Sequence, residues 1–341
     1  MRKVIIVLGL LAVAAFASDP RLTVLGGDAR LLVNDYLEMW AYPGVIGDYE
    51  FVTGGSETAE SISDGWFGIV DGLGGNTYGV TINHNDYSHE VLFSPGGWGA
   101  IVSLDFNKFA PTDSTTEKDI RFGVEWGTNV SFLSDYSDLA IAAGIDNSSI
   151  DFNDDNWNSQ DINFGASLRG HGDNFFNLFP IISAGIDMHN VETFVDSTFY
   201  VTDVTFDVGA GRNKKVADNT NLVLGVFAGV QSTSYSGDYP DGGTPDSEML
   251  IEIPKVSGGI EQEVGKIVVF RAGAVSTTNY YARGDFNQFT NNFDTNFGVG
   301  LHWDNFIVDA TINEGFLHSG PYMVGGNANG FMGSLAATYN F

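Results

Sequence analysis

Several segments of the chain alternate between apolar residues and polar or glycine residues with a period of two. In residues 293–303, one face carries Phe293, Thr295, Phe297, Val299, Leu301 and Trp303, and the other carries Asp294, Asn296, Gly298, Gly300 and His302. The same alternation occurs in residues 121–130, 161–169 and 203–211. A period of two indicates a β-strand whose two faces meet different environments, so the chain is predicted to be all-β.

The N-terminus has the layout of a secretory signal peptide. Arg2-Lys3 precedes an apolar run from Val4 to Ala14, and Ala15-Phe16-Ala17 forms a small-x-small cleavage site before Ser18. The apolar run is shorter than the ~20 residues that a membrane-spanning helix needs. Residues 1–17 are therefore predicted to be a cleaved signal peptide that directs export.

The last predicted strand ends in an aromatic residue at the end of the chain. Leu335, Ala337, Tyr339 and Phe341 share one face of this strand. A final strand that ends in phenylalanine resembles the signal by which the assembly machinery recognises outer-membrane barrels. Tyr339 and Phe341 are the predicted assembly signal, and the expected partners are the barrel-assembly machinery and outer-membrane lipid.

Counting back from the last strand predicts about 14 strands, within a range of 12 to 16, over residues 49–341. Residues 304–305 form a predicted hairpin turn, and longer connections are predicted at 147–159, 233–246, 279–290 and 315–328. Upstream, residues 49–53 are a candidate further strand, whereas 85–97 are a predicted connection. An exported chain with these strands fits a transmembrane antiparallel β-barrel of the cell outer membrane. A soluble β-sandwich is the alternative.

Composition narrows the range of functions. The formal net charge of −28 disfavours nucleic-acid binding, which needs a basic face. The absence of cysteine excludes disulfides and a lipoprotein anchor. Glycine, at 43 residues, has about twice its usual share of ~7%. No hydrolase, zinc or phosphate-loop motif is present, so we predict no enzyme activity, no cofactor and no metal site.

Residues 18–48 are called here the N-terminal segment. The order Gly26-Gly27-Asp28-Ala29-Arg30, then Asn34-Asp35, then Trp40-Ala41-Tyr42-Pro43-Gly44 resembles the start of the long-chain fatty-acid transporter superfamily of 14-stranded barrels, which includes Bacteroidetes-type secretion-system barrels. Tyr42 and Gly44 depart from the family's Asn-Pro-Ala-Gly motif. The resemblance implies that the N-terminal segment enters the barrel as a plug or hatch.

The apolar content of the N-terminal segment also calls for burial. On a free tail, its apolar residues would form an exposed hydrophobic patch; they are Leu31, Leu32, Val33, Leu37, Met39 and Trp40. We expect a short helix over about 27–39, with Arg30 and Asp35 paired with charges of the barrel wall. The plug candidates are Arg30, Asp35, Trp40 and Pro43. A segment that only seals or braces the barrel is the alternative to a gating plug.

Charged residues on the non-lipid face of the predicted strands are candidates for the lumen lining. They are Asp105, Arg121, Glu125, Arg169, Asp187, Asp207, Arg271, Asp294 and Asp309. Such charges need water or partners, so they either line a wet pore or pair across strands to close a narrow one. We therefore predict a channel or transporter-like barrel that passes small or hydrophobic solutes. The alternative is a structural or assembly barrel that binds another protein. The substrate and the oligomeric state stay open.

Overall fold

Sixteen antiparallel strands form a closed barrel in the described part of the chain. The structure is a computed structural model that describes residues 20–57, 64–83, 88–112, 115–134, 136–152, 155–171, 178–192, 197–239, 243–312 and 332–341. Each strand pairs with its neighbours in sequence, and β1 pairs with β16 to close the wall. The predicted signal peptide, residues 1–17, lies outside the described residues.

The strands, in chain order, are β1 Phe51–Glu57, β2 Asp64–Leu73, β3 Asn76–Asn83, β4 Ser88–Ser94, β5 Trp98–Thr112, β6 Thr115–Val130, β7 Ser137–Phe152, β8 Asp155–Gly170, β9 Phe179–Glu192, β10 Thr198–Ala217, β11 Thr220–Gly237, β12 Glu248–Val264, β13 Val268–Arg283, β14 Phe286–Trp303, β15 Phe306–Ile312 and β16 Met332–Asn340. We call the end where β1 begins and β16 ends the terminal end, and the opposite end the distal end.

Sixteen strands are two more than the expected count of about 14 and lie at the upper limit of the predicted range of 12 to 16. The added strands are β1, which overlaps the candidate strand at 49–53 from Phe51 onward, and β4, which lies inside the predicted connection 85–97. Both pair in regular antiparallel register with their neighbours. Sixteen strands also exceed the 14 that the resemblance to the fatty-acid transporters implies.

The described strands fall into two groups by length. Within the described residues, strands β5 to β14 have 14–20 residues, whereas β1 to β4, β15 and β16, each of which adjoins residues that the structure does not describe, have 7–10. The predicted connections at 147–159 and 279–290 were wrong, because the described residues there extend β7, β8, β13 and β14 instead. The predicted connection at 233–246 is shorter than expected, since residues 233–237 belong to β11, and the one at 315–328 lies outside the described residues. Where both faces of a strand meet water, polar residues can occupy both, and the alternation that reveals a strand disappears. The predicted turn at 304–305 is present.

The outer face of the barrel is apolar, and the inner face carries most of the polar side chains. On β14, Phe293, Phe297 and Leu301 point outward and are 68%, 39% and 48% exposed. Their neighbours Gly298 and Gly300 face the interior, where they lie against Val24 and Arg271. The alternation in the sequence therefore corresponds to an outer and an inner face.

The described part of the N-terminal segment, residues 20–48, lies inside the ring of strands. It contains helix α1, Pro20–Val24, followed by three 3-10 helices, Ala29–Leu31, Tyr36–Trp40 and Pro43–Asp48. Helix α1 contacts β13 to β16, whereas Pro43–Asp48 contacts β3 to β7 on the opposite side. No helix in the described ranges is long and apolar enough to cross a membrane.

The single helix expected over about 27–39 was wrong. Two short 3-10 helices occupy this stretch instead, and the side chains of Asp28 and Asp35 cap their first turns. Between them, Asn34 has a φ of 58°, a left-handed conformation that interrupts a right-handed helix. The capping aspartates therefore divide the stretch into separate turns.

Candidate functional site

The N-terminal segment packs against apolar side chains that point into the barrel. On one side, Leu31, Leu32 and Leu37 join a buried cluster with wall residues that include Ile181 and Phe227. On the other side, a second buried cluster joins the segment to β1, β2, β4 and β5; its members are Met39, Val45, Ile46, Phe51, Val70, Leu92 and Ile101. The wall residues that meet the N-terminal segment are called here the inner contact surface. It encloses a hydrophobic core in the terminal half of the barrel.

Glycines of the inner contact surface allow the backbone of the N-terminal segment to come close to the wall. A Cβ atom at Gly273 would overlap the carbonyl oxygen of Val24, and one at Gly99 would overlap that of Pro43. At Gly259 it would lie 2.7 Å from the Cα atom of Leu25. Part of the high glycine content of the chain is thus explained by this close approach.

A buried arginine links the N-terminal segment to strands β7 and β8. Arg169 is fully buried, and its guanidinium forms ion pairs with Glu38 of the segment and, at 2.6 Å, with Asp138 of the wall. It also donates to the carbonyl oxygen of Leu32 and lies 4.4 Å from the ring centroid of Tyr42. We call these residues the Arg169 cluster. Glu38 thus joins the segment to an ion pair that Arg169 and Asp138 form within the wall.

A second buried arginine forms a similar cluster on the opposite side. Arg271 contacts Glu261 at 2.6 Å and Asp309 at 2.5 Å, and all three are wall residues. Glu261 also accepts a hydrogen bond from Arg21 of the N-terminal segment at 2.9 Å, and Arg21 pairs with Asp35. In this Arg271 cluster, Glu261 is shared between the wall and the segment.

The register places all nine predicted lumen residues on the inner face, but only some of them meet. Arg169, Arg271 and Asp309 belong to the two clusters. In the distal half, Arg121 lies 2.6 Å from Asp146 and 3.6 Å from Asp105.

The other predicted lumen residues lie apart from the two clusters. Asp187 is 3.9 Å from a ring nitrogen of His189. Glu125 lies on β6 and Asp207 on β10, where Asp207 is next to Gly229. Asp294 lies on β14 and is exposed. These four residues belong to the polar inner wall rather than to the inner contact surface of the arginine clusters.

The predicted plug residues contact the wall, although not in the expected pairs. Arg30 pairs with Asp28 of its own segment and donates to the Ser183 hydroxyl at 2.7 Å. The expectation that Arg30 and Asp35 pair with wall charges was therefore wrong, because Asp35 also pairs within the segment. The ion pairs that reach the wall use Glu38 and Arg21 instead.

The other two plug candidates and the predicted assembly signal have clear positions. Trp40 donates from Nε1 to Glu90 at 3.1 Å, and Pro43 is buried against Gly99 and Gly127.

Tyr339 and Phe341 have ring centroids 5.7 Å apart. They pack on the outer face beside the β1–β16 pairing.

Sequence reasoning missed Glu38 and Asp138 as partners of Arg169, and it missed the apolar half of the inner contact surface. A signal for that surface was available, because a strand that is apolar on both faces loses its alternation. In such strands, apolar residues are adjacent: Ile181 is next to Ile182, and Val223 lies between Leu222 and Leu224. Among the described residues, no three His, Asp or Glu side chains are grouped to hold a metal ion.

Comparisons with known proteins identify no family. No protein-family model matches the chain, and no curated relative matches it. Among solved structures, the FrpB iron transporter from Neisseria meningitidis matches at 10% identity and a TM-score of 0.44, over 79% of this chain and 46% of that one. The chain thus spans just under half of that transporter.

Two autotransporter structures match over most of their length. The translocator domain of NalP from Neisseria meningitidis matches at 11% identity and a TM-score of 0.34, over 94% of this chain and 99% of that one. The β-domain of the Bordetella autotransporter BrkA matches at 10% identity and a TM-score of 0.32, over 86% and 99%. The assignment as a closed barrel rests on the strand pairing of the chain itself.

Proposed function

We propose that this protein is an outer-membrane β-barrel of the channel or transporter type, closed in its terminal half by the N-terminal segment. The apolar outer face supports insertion into lipid, because a barrel is one of the two folds that satisfy all backbone groups in a bilayer. The signal-peptide pattern of residues 1–17 and the terminal Phe341 support export to the outer membrane and recognition by the assembly machinery.

The observation that carries the proposal is the inner contact surface. The N-terminal segment reaches opposite walls, buries apolar side chains on both, and joins two buried arginine clusters. Such a segment blocks the terminal half of the lumen while it is bound. Its displacement, whole or partial, would connect the polar distal half with the terminal end.

The lining of the distal half favours small polar solutes. Asp146, Asp161 and Asp187 lie on the inner face there, whereas the apolar residues of the inner contact surface are covered by the N-terminal segment. A hydrophobic substrate, which the resemblance to fatty-acid transporters implies, would have to displace the segment to reach an apolar wall.

The second candidate is a structural or assembly barrel that binds another protein. The firm attachment of the N-terminal segment favours this candidate, because a barrel that stays permanently closed would not transport a solute. In that case the distal ends of the long strands β5 to β14 would present the binding surface.

Conductance in planar bilayers distinguishes these candidates. We expect low conductance for the full mature chain and larger, stable openings after deletion of residues 19–46. Retention of the heat-modifiable band checks that the deleted barrel still assembles. Equal conductance of the two proteins would contradict closure by the N-terminal segment.

A disulfide lock tests whether the segment moves. The chain has no cysteine, and a Cβ atom at Gly298 would lie 3.7 Å from that of Val24, within the range for a disulfide. The same Cβ atom would lie 2.9 Å from the carbonyl oxygen of Ala310, so the reduced variant must first match the conductance of the full chain. In the Val24→Cys/Gly298→Cys variant, oxidation should abolish openings that reduction restores. Openings of the full chain that persist in the oxidised variant would show that this part of the segment is not the gate. A full chain that never opens would favour the structural candidate.

A further inference from the structure

A row of aromatic side chains crosses the inner face of the distal end, far from the N-terminal segment. It comprises Phe199 of β10, Tyr235 of β11, Tyr239 just after β11, Tyr281 of β13 and Phe286 of β14, and is called here the distal aromatic belt. The rings of Phe199 and Tyr239 are stacked with centroids 4.5 Å apart, and the rings of Tyr235 and Tyr239 are 6.3 Å apart. Tyr281 and Phe286 have centroids 6.1 Å apart.

The strand register places the belt on the inner face. Tyr235 is opposite Val201, which lies two residues from the inward Asp203 and so shares its face. Tyr281 is opposite Leu250. It lies an even number of residues from the inward Arg271 on the same strand, so it shares the inner face. The aromatic residues of the outer face at this height are different ones, namely Tyr200, Tyr280 and Phe289. The belt therefore cannot serve as a lipid-facing aromatic girdle.

A carboxylate connects the two halves of the belt. Glu248 of β12 accepts a hydrogen bond from the Tyr235 hydroxyl at 2.8 Å and pairs with Arg283 at 3.2 Å. Tyr281 lies diagonally across from Glu248, whose direct partner in the strand pair is Arg283. These contacts fix the acid between rings on neighbouring strands.

The belt is open to solvent rather than part of a core. Phe286 is 56% exposed, and the other four rings are partly exposed. No apolar cluster of the described residues includes any of them. Exposed rings in a row, with a fixed carboxylate and tyrosine hydroxyls between them, form a surface with both apolar faces and hydrogen-bonding groups.

We propose that the distal aromatic belt binds neutral oligosaccharides at the mouth of the barrel. The flat C–H faces of pyranose rings pack against aromatic rings, and sugar hydroxyls hydrogen-bond to carboxylates and phenols. Anionic ligands are disfavoured, because Asp203 and Asp246 flank the belt along with Glu248. The proposal depends on the inner face of the distal end and not on movement of the N-terminal segment.

Calorimetric titration of the purified full barrel tests the proposal. The probes are maltohexaose, cellohexaose and chitotetraose. We expect at least one of them to bind, and Phe199→Ala or Tyr239→Ala to weaken that binding at least about tenfold, since a stacked ring contributes on the order of 1.4 kcal/mol. Tyr200→Ala and Phe289→Ala are the matched controls, because they remove outer-face rings at the same height and should leave the affinity unchanged.

Three results would overturn the proposal. One is no binding of any of the three sugars at about 10 mM, a concentration that detects even millimolar affinity. Another is an equal loss of affinity in the Tyr200→Ala control. The third is binding of tetraethylammonium in place of the sugars, which would assign the belt to organic cations through cation–π contacts. A barrel that conducts no solute could still bind sugar, so failure of this test and failure of the channel proposal are distinguishable.

Discussion

The terminal and distal halves of the inner wall differ in what covers them. In the terminal half, inward side chains such as Leu92, Ile101 and Ile181 are 0–2% exposed beneath the N-terminal segment. In the distal half, aspartates face one another across neighbouring strands: Asp146 is opposite Asp161, and Asp187 is opposite Asp203.

The difference shows which half of the inner wall the N-terminal segment covers. Like charges directly opposite one another destabilise a strand pair, and here Arg121 lies beside Asp146, and His189 lies beside Asp161 and Asp187. Apolar residues left uncovered in the terminal half would form an exposed hydrophobic patch. One barrel therefore combines a polar distal lumen with a terminal half that is packed like a protein core, and the N-terminal segment marks the boundary.

The largest expected effect comes from removing the buried arginine of the terminal half. Arg169→Met removes the cation beside the buried Glu38 and leaves Asp138 with His171 as its other partner, so the free energy of unfolding should fall by about 3–5 kcal/mol. Urea denaturation of the folded barrel in lipid vesicles measures this value. Arg283→Met is the control in the distal half, where the arginine side chain is 45% exposed and its partner Glu248, 20% exposed, also accepts a hydrogen bond from Tyr235; its loss should cost less than about 1 kcal/mol. Equal losses would remove the distinction between a packed terminal half and a polar distal half.

The same contrast explains how much of the fold could be predicted from the sequence. The strand at 291–303 and its turn at 304–305 were recognisable because one face is apolar and the other is not. The strand β4 was missed, and β1 was recognised only as a candidate at 49–53, because the N-terminal segment covers their inner face, so that Phe51 stands beside Val52 and Leu92 beside Val91. Alternation cannot reveal a strand that is apolar on both faces.

The candidate site was less predictable than the fold. The sequence identified Arg169 and Arg271 as inward charges, but nothing in it paired Arg169 with Glu38, because that pair depends on how the N-terminal segment turns at Asn34. The extended strands of the distal half were missed for the opposite reason, since polar residues there occupy both faces.

The next largest effect is expected from a positive charge placed on the outer face of a strand, compared with one placed on its inner face. Val299→Arg places a charge on the outer face of β14, and if that face meets lipid near the bilayer midplane, stability should fall by roughly 2–4 kcal/mol. The yield of heat-modifiable barrel reports the loss. Asp294→Arg, on the inner face of β14, should change stability by less than about 0.5 kcal/mol. If both variants insert normally, β14 does not face lipid.

A smaller effect is expected when glycines of the inner wall are replaced by alanine. Gly273→Ala would force the backbone of helix α1 away from the wall, at a cost of about 1–3 kcal/mol, and should increase open-channel events. Gly165→Ala is the control in β8, because its nearest neighbours would lie 3.9 Å and 4.0 Å from the new Cβ atom. We expect this control to be neutral. A normal closed state in Gly273→Ala would contradict close packing of the segment.

The smallest effect isolates a single hydroxyl between the segment and the wall. Tyr42 forms a 3.1 Å hydrogen bond with Ser167 through its hydroxyl, while its ring lies over Arg169. Tyr42→Phe keeps the ring and removes the hydroxyl, so stability should fall by only about 0.5–1.5 kcal/mol. Tyr42→Leu removes the ring as well and should lose about 1–2 kcal/mol more, because a desolvated cation–π contact is of that size. Denaturation midpoints of the two variants, measured beside Arg169→Met, show whether the ring acts through the arginine. If Tyr42→Phe and Tyr42→Leu remained equally stable, the ring would contribute nothing to the Arg169 cluster, and attachment of the segment there would depend on the ion pairs alone.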